Sequence, residues 1–216
     1  MYRPRAYAID DVAVLHHVIR ERSFATIAAV VDGDVQFAYA PMLVDSAPAP
    51  YGSVRFHLAR GNPLSECDGA PIRIGLLGAD AYVSPDWYRT GAFVPTWNYI
   101  AVEGAGRARV LDERDLRRLL VDLSAGHEER LRPKPPWTPK KIIPERMEML
   151  IRSIRGFVLP FEALEGKFKL SQDKAPDDIA GVIAGLEARG DPASLAVARA
   201  MKESGTVSLR ASTGSA

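Results

Sequence analysis

Cys67 is the only cysteine among 216 residues, which excludes an internal disulfide and a cysteine-rich zinc site together. A lone thiol also suits a reducing compartment. No run is apolar for the ~18 residues that a membrane-spanning helix requires. The opening residues, MYRPRAYAIDD, hold no apolar core followed by a cleavage site, so the expectation is a cytoplasmic chain without membrane contact. Charge of one sign is also lacking: 28 Lys and Arg face 27 Asp and Glu, a net +1. Such a chain has no global field to gather it on DNA or an anionic surface, and nucleic-acid binding would need a local patch. The four His residues show no metal-ligand spacing, and neither a GxGxxG run nor a P-loop is present, so neither zinc nor a dinucleotide fold is expected.

What the chain does have is ordinary core material, with 47% hydrophobic and 25% charged residues, enough to build a compact fold without a staple. Asp10 can cap a helix over 11–21, where Val12, Leu15, Val18 and Ile19 recur at helical spacing. The texture then turns to strands. Residues 24–31 and 35–44 are apolar runs separated by Asp32-Gly33-Asp34, and 53–60 (SVRFHLAR) alternates strictly. Further strands are expected at 72–79, 81–84, 94–103 and 107–111, and many short strands imply a barrel or sandwich.

Asp112 opens a second helix with a Leu116, Leu119, Leu120, Leu123 stripe. Residues 130–141 (RLRPKPPWTPKK) read as a stiff basic loop laid across a surface, then a helix over 144–155 and a strand over 157–163. A helical pair, 177–189 and 192–204, turns at Gly190-Asp191-Pro192. The fold class is therefore α+β and mainly β: an antiparallel barrel domain with peripheral helices over 1–174, the helical pair packed on it within 175–205, and a flexible tail over 206–216.

Four segments are richer in functional groups than packing requires: HLARGNP (57–63), AYVSPDWY (81–88), VPTWNY (94–99) and KFKLSQ (167–172). Arg60, Lys169 and Ser171 suit a phosphate, Asn62, Asn98 and Gln172 suit polar edges, and Trp87, Tyr88 and Trp97 suit a flat ring. Each has an ordinary alternative. Arg60 can be a solvated strand end, the Trp residues can be core anchors, Ser171-Gln172 can be a turn, and His57 lacks an evident carboxylate partner for base catalysis. The residues alone reach a small-molecule site with a preference for a phosphorylated ligand.

Taken in order, MYRP, HLARGNP, AYVSPDWY, VPTWNY with Ala101-Val102-Glu103, and KFKLSQDK resemble the PaiB-type FMN-binding negative transcriptional regulators. The resemblance runs from Met1 to about Met201. It implies a split β-barrel of the pyridoxamine-phosphate-oxidase type, FMN held between the two subunits of a homodimer, and a role in repression. Carried over by motif, it assigns His57, Arg60 and Asn62 with Lys169, Ser171 and Gln172 to the flavin phosphate and ribityl chain. Ser84, Trp87 and Tyr88 with Thr96, Trp97 and Asn98 fall to the walls of the site. Gly61, Asp86, Glu103 and Asp173 depart from the usual pattern, which has Ala, Ser, His and Asn there. A carboxylate at 103 near a phosphate would weaken anion binding.

Three functions fit one such site: a flavin-bound regulator, an FMN-dependent oxidoreductase using a nicotinamide cofactor on a small acceptor, and a dimerisation module with structural flavin. No catalytic side chain is expected, since a flavin carries its own chemistry. For DNA, the second helix of the pair offers only Arg199 and Lys202, too little for base readout. The loop with Arg130, Arg132, Lys134, Lys140 and Lys141 is the better candidate for phosphate contact.

Overall fold

Asp32 and Gly33 both sit at positive φ, 52° and 84°, the backbone that a two-residue hairpin turn matched to strand twist demands. In the computed structural model this turn sets the register of the hairpin it closes, from Val31 opposite Asp34 to Phe24 opposite Pro41. Residues 1–213 are described, with side chains through residue 204; the tail expected over 206–216 lies outside those described side chains.

In chain order the elements are β1 (Ala8–Ile9), α1 (Val12–Arg22), β2 (Phe24–Val31), β3 (Asp34–Asp45), β4 (Ser53–Ala59), β5 (Pro71–Val83) and β6 (Thr96–Arg107). There follow β7 (Arg109–Val110), α2 (Glu113–Glu129), α3 (Pro144–Arg152), β8 (Ile154–Lys169), α4 (Pro176–Arg189) and α5 (Pro192–Thr213). The chain divides into two compact units: Asp11–Leu76 with Glu103–Leu164, and Met1–Asp10 with Leu77–Val102 and Glu165–Ala216.

The first unit is the sheet. β8, β4, β3, β2 and β5 follow one another by antiparallel pairing, and β7 adds to β8. Alternation fixes what faces inward: Val54, Phe56 and Leu58 of β4 are buried, and Phe56 stacks on its register partner Phe157 at 5.4 Å between ring centroids. Asp11 rather than Asp10 caps α1, its Oδ1 accepting from the amides of Ala13 and Val14. Leu15 and Ile19 of α1 are buried, as are Leu116, Leu119 and Leu123 of α2.

The second unit is built on a core in which Ala79, Ala81 and Val83 of β5 meet Val182 and Leu186 of α4 and Val197, Ala198 and Met201 of α5. β1 pairs with the end of β8, Ala8 opposite Lys167. Asp191 caps α5, accepting from the Ser194 amide at 3.0 Å and its hydroxyl at 2.7 Å. The helical pair is thus a packing element, its apolar stripe turned onto strand residues.

Several boundaries differ from the sequence reading: β6 runs Thr96–Arg107 rather than 94–103, β8 Ile154–Lys169 rather than 157–163, β7 Arg109–Val110 rather than 107–111, and α5 continues to Thr213 into the stretch expected as a tail. β5 runs unbroken from Pro71 to Val83 where two strands were expected, Asp80 being carried within it. The helix expected to reach 155 stops at Arg152, and Ile154 instead opens β8 opposite Ala59. Ile154 satisfies both periods, and pairing with β4 decides between them, tertiary context overriding the local pattern.

Candidate functional site

Within the second unit, Thr96 and Asn98 of β6 face the end of β8 and the turn that follows it. The Lys169 ammonium donates to Thr96 Oγ1 at 2.5 Å and to the Trp97 carbonyl at 2.7 Å. Ser171 follows at φ 61°, left-handed backbone that a non-glycine residue adopts at a cost of about 1–2 kcal/mol and that clusters at functional positions. Its hydroxyl is buried against the Asn98 amide, with Asn98 Nδ2 to Ser171 Oγ at 2.9 Å.

These residues and Tyr88 line a cavity of 170 Å³. Tyr7, Phe93, Val94, Asp173 and Lys174 complete the lining, and none of them was a sequence candidate. Val94 stood in VPTWNY and Asp173 and Lys174 in KFKLSQDK, which was the available signal; Tyr7 and Phe93 lay outside the motifs.

Electrostatics in this cavity are divided. Burial lowers the Lys169 pKa from the ordinary lysine value. Burial also raises that of the Tyr7 hydroxyl, and the neighbouring Asp173 carboxylate raises it further. Burial alone would raise Asp173, yet the Lys174 ammonium at 2.8 Å and the Tyr7 hydroxyl hold its carboxyl below the usual value. Asp173 therefore remains anionic at neutral pH and is paired, while the Lys169 nitrogen is held by the Thr96 hydroxyl and the Trp97 carbonyl.

A loop from Tyr88 to Pro95 forms one wall, Tyr88 and Phe93 packing with centroids 4.3 Å apart. Asp178, 1% exposed on α4, ties the loop down. Its carboxylate accepts from the amides of Arg89 at 2.7 Å and Thr90 at 2.9 Å, and from the Thr90 hydroxyl at 2.5 Å. Those bonds, the hydroxyl first, depress its pKa.

Trp87 lies against α4 in a notch made by two glycines. A Cβ on Gly185 would stand 2.3 Å from its ring, and one on Gly181 would stand 2.1 Å from its carbonyl oxygen. Ser84 accepts from the Asp86 amide to cap the short turn carrying Trp87. Gln172 folds back, its Oε1 accepting from the Leu170 amide and its Nε2 donating to the Phe168 carbonyl. The Trp97 side chain is exposed and meets Tyr82 edge-on.

The other three sequence candidates belong to the sheet unit. Arg60, exposed beyond the end of β4, is held by its backbone amide on the Ser153 carbonyl at 2.9 Å and by its Nε on the Arg152 carbonyl at 2.8 Å. Anchoring through Nε fixes the guanidinium plane and leaves its two terminal amino groups as a fork, the geometry that recognises phosphate. Asn62 Oδ1 caps the turn Pro63–Glu66 through the Leu64 amide. His57 Nδ1 is buried and, among the described residues, has no hydrogen-bond partner. Burial lowers the His57 pKa, so the ring is neutral at pH 7. Glu103 stands 4.0 Å from Arg73.

In the basic loop, which reads as a solvated or cofactor-covering segment before it reads as a phosphate contact, several cations find partners within the chain. Arg130 donates to the last carbonyls of α1, Arg20 at 2.6 Å and Glu21 at 3.2 Å, Arg132 pairs with Glu129, and Lys134 pairs with Glu128. Three of its cations are therefore engaged within the fold.

Comparisons with known proteins agree with one another. Residues 1–163 match the family model described as "Putative FMN-binding domain". The chain is 27% identical over 207 residues to the "Protease synthase and sporulation protein PAI 2" of Bacillus subtilis, covering 94% of this chain and 97% of that protein. It is 26% identical to an uncharacterized protein of Emericella nidulans, covering 95% and 98%. Among solved structures, the FAD and heme binding protein of Mycobacterium smegmatis superposes with a TM-score of 0.57 at 18% identity, covering 81% of this chain and 79% of that one. The flavocytochrome Anf3 of Azotobacter vinelandii gives a TM-score of 0.53, also at 18% identity, covering 81% and 75%.

Proposed function

Because this chain belongs to the FMN-binding domain family, an antiparallel split β-barrel with FMN as its cofactor, we propose that it is a flavin-loaded homodimer acting as a negative regulator of transcription. The observation that carries the flavin site is the cavity lined by Thr96, Asn98, Lys169 and Ser171, residues drawn from two of the four motifs. The regulatory reading rests on the relative named for protease synthesis and sporulation, which aligns over nearly the whole of both chains.

The residues fit the cofactor. In the sheet unit Arg60 presents an oriented fork for a phosphate dianion, and the buried His57 Nδ1 lacks a partner among the described residues, a shortfall that a ligand polar atom would make good; in the second unit Lys169 is held by the Thr96 hydroxyl and the Trp97 carbonyl. When bound, FMN supplies hydride or single-electron chemistry of its own. The protein's part is to anchor the phosphate, hold the polar edges through Asn98 and Ser171, and exclude water with the Tyr88–Phe93 wall.

A cavity of 170 Å³ is smaller than the roughly 300 Å³ at which small-molecule sites begin, which supports a site completed by a second copy. The outer face of the β2–β3 hairpin supplies a surface for that copy. Phe24, Val30, Val35, Phe37 and Tyr39 are each more than half exposed and the register places them on one side. An uncharged aromatic patch of this kind is self-complementary about a two-fold axis.

The deciding experiment is the absorption spectrum and mass of the purified protein, followed by NADPH consumption and DNA retention at two salt concentrations. A yellow dimer that retains DNA in a salt-dependent way without turnover supports the regulator. Turnover without retention replaces it with an oxidoreductase, and a colourless chain that takes up FMN no better than riboflavin removes the phosphate-anchored site.

A further inference from the structure

A second cavity lies in the sheet unit, 470 Å³ between α2 and α3 and roofed by Trp137 and Pro139 of the basic loop. Its size falls within the range of small-molecule sites. Leu120, Val121, Met147 and Leu150 are among its apolar lining.

Its hydroxyls and its guanidinium are engaged within the fold. The Ser124 hydroxyl donates to the Leu120 carbonyl at 2.8 Å and that of Ser153 to the Leu150 carbonyl at 2.6 Å. Arg117 at the rim is bound by two carboxylates, Glu113 at 2.5 Å and Glu148 at 2.6 Å. An anion would meet that pair of carboxylates, and a peptide backbone would find no hydroxyl or guanidinium at liberty to bond it. What the lining accepts is carbon, against an indole and a thioether.

The floor of this cavity is also the anchor of Arg60. Ser153 and Ile154 line it, while the Arg60 amide bonds the Ser153 carbonyl and its Nε the Arg152 carbonyl. A molecule seated between α2 and α3 would touch Ser153 and Ile154, within the segment that holds Arg60.

We infer that this cavity binds an uncharged, largely apolar small molecule, and that its occupancy alters FMN affinity through Arg152–Ile154 and Arg60. The first half stands on the cavity alone; the second rests on the assignment of Arg60 to the FMN phosphate. Coupling of this kind is reciprocal, so FMN must change the affinity for the apolar ligand by the same factor.

The probe is N-phenyl-1-naphthylamine, an uncharged dye that fluoresces in apolar surroundings, titrated into the purified full chain. Saturable binding at one dye per chain is expected, weakened at least about tenfold by Val121→Trp and by Leu150→Trp. Both sites are substantially exposed, so the variants fill the cavity without disturbing the core. Unsaturable uptake, or equal affinity in both variants, overturns the site. So does dye binding that disappears as the chain dimerises, with Val121→Trp weakening the dimer, since the occupant is then a second copy. For the coupling, saturating dye is expected to shift the FMN dissociation constant at least about threefold, with the shift lost in Arg60→Ala. An unchanged constant overturns the coupling and leaves the site standing. A chain that binds dye but no FMN overturns both the coupling and the flavin reading.

Discussion

Asn98 and Ser171, 73 positions apart, close on one another inside the protein, the Asn98 amide nitrogen 2.9 Å from the Ser171 hydroxyl. Both are buried, and Ser171 keeps a left-handed backbone there. Replacing Asn98 with Ala orphans the hydroxyl. The variant is expected to lose about 1–3 kcal/mol of stability, read from urea unfolding, and to bind FMN more weakly; an unchanged urea midpoint would refute the pairing as a support of the fold.

Arg60 is exposed, and its side chain bonds a single carbonyl, that of Arg152, so Arg60→Ala should leave thermal unfolding nearly unaltered. FMN affinity should fall about 10- to 100-fold, the worth of a charge-assisted hydrogen bond at about 1.5–3 kcal/mol. Lysine has no Nε anchor and no fork, so Arg60→Lys should recover only part. Equal fluorescence titrations for all three proteins would remove Arg60 from the site.

Lys169 titrates below the ordinary lysine range because it is buried. Between the folded and unfolded pKa values the unfolded chain carries the extra proton, so folding stability rises with pH across that window. FMN affinity runs the other way, declining as pH rises through the lowered value and the ammonium is lost. Lys169→Arg, charged throughout, should flatten the affinity profile across that window. Parallel profiles would show that the ammonium does not meet the phosphate.

For Asp178 the folded pKa lies below the unfolded one. Its carboxylate therefore contributes stability that is present above the unfolded value of about 3.9 and is lost as pH falls through the folded value. Asp178→Asn is expected to be less stable at neutral pH, the gap to the parent narrowing from about pH 5 downward. Limited proteolysis should cut the variant between Tyr88 and Pro95 faster. A gap that stays constant with pH would place its cause outside the carboxylate.

Alanine usually stabilises a helix interior over glycine by about 1 kcal/mol. At Gly185 the new methyl would sit 2.3 Å from the Trp87 ring, so Gly185→Ala should instead cost about 1–3 kcal/mol. Gly126 of α2 has nothing within 4 Å of an added Cβ, and Gly126→Ala should stabilise. Differential scanning calorimetry on both variants checks the contrast, and like signs would dispose of the notch.

Much of this was legible from residue patterns. The Asp32-Gly33 turn, the alternation through Phe56 and the Leu116–Leu123 stripe each state their own geometry, because one short period decides them. The motifs also named Thr96, Asn98, Lys169 and Ser171 as a group, and the cavity brings them together. What stayed hidden depends on contacts between distant segments. Trp87 reads as a ring wall until the glycines of α4 are seen beneath it. The cations of the 130–141 loop read as a surface until their carboxylates and the α1 carbonyls are placed. Val94 reads as the start of a strand over 94–103, yet β6 opens at Thr96 and Val94 lies with Phe93 in a loop that Asp178, far along the chain, ties down.

The chain passes between its two units after residues 10, 76, 102 and 164, and the last three of these passages fall inside β5, β6 and β8. Neither unit is therefore a stretch of gene. No single truncation isolates one, and a relative could not acquire or shed either by recombination at one junction. Variation in this architecture is confined to what can be inserted in loops or substituted in place, which leaves the cavity linings as the ground on which related chains can diverge in ligand while keeping the same path of the backbone.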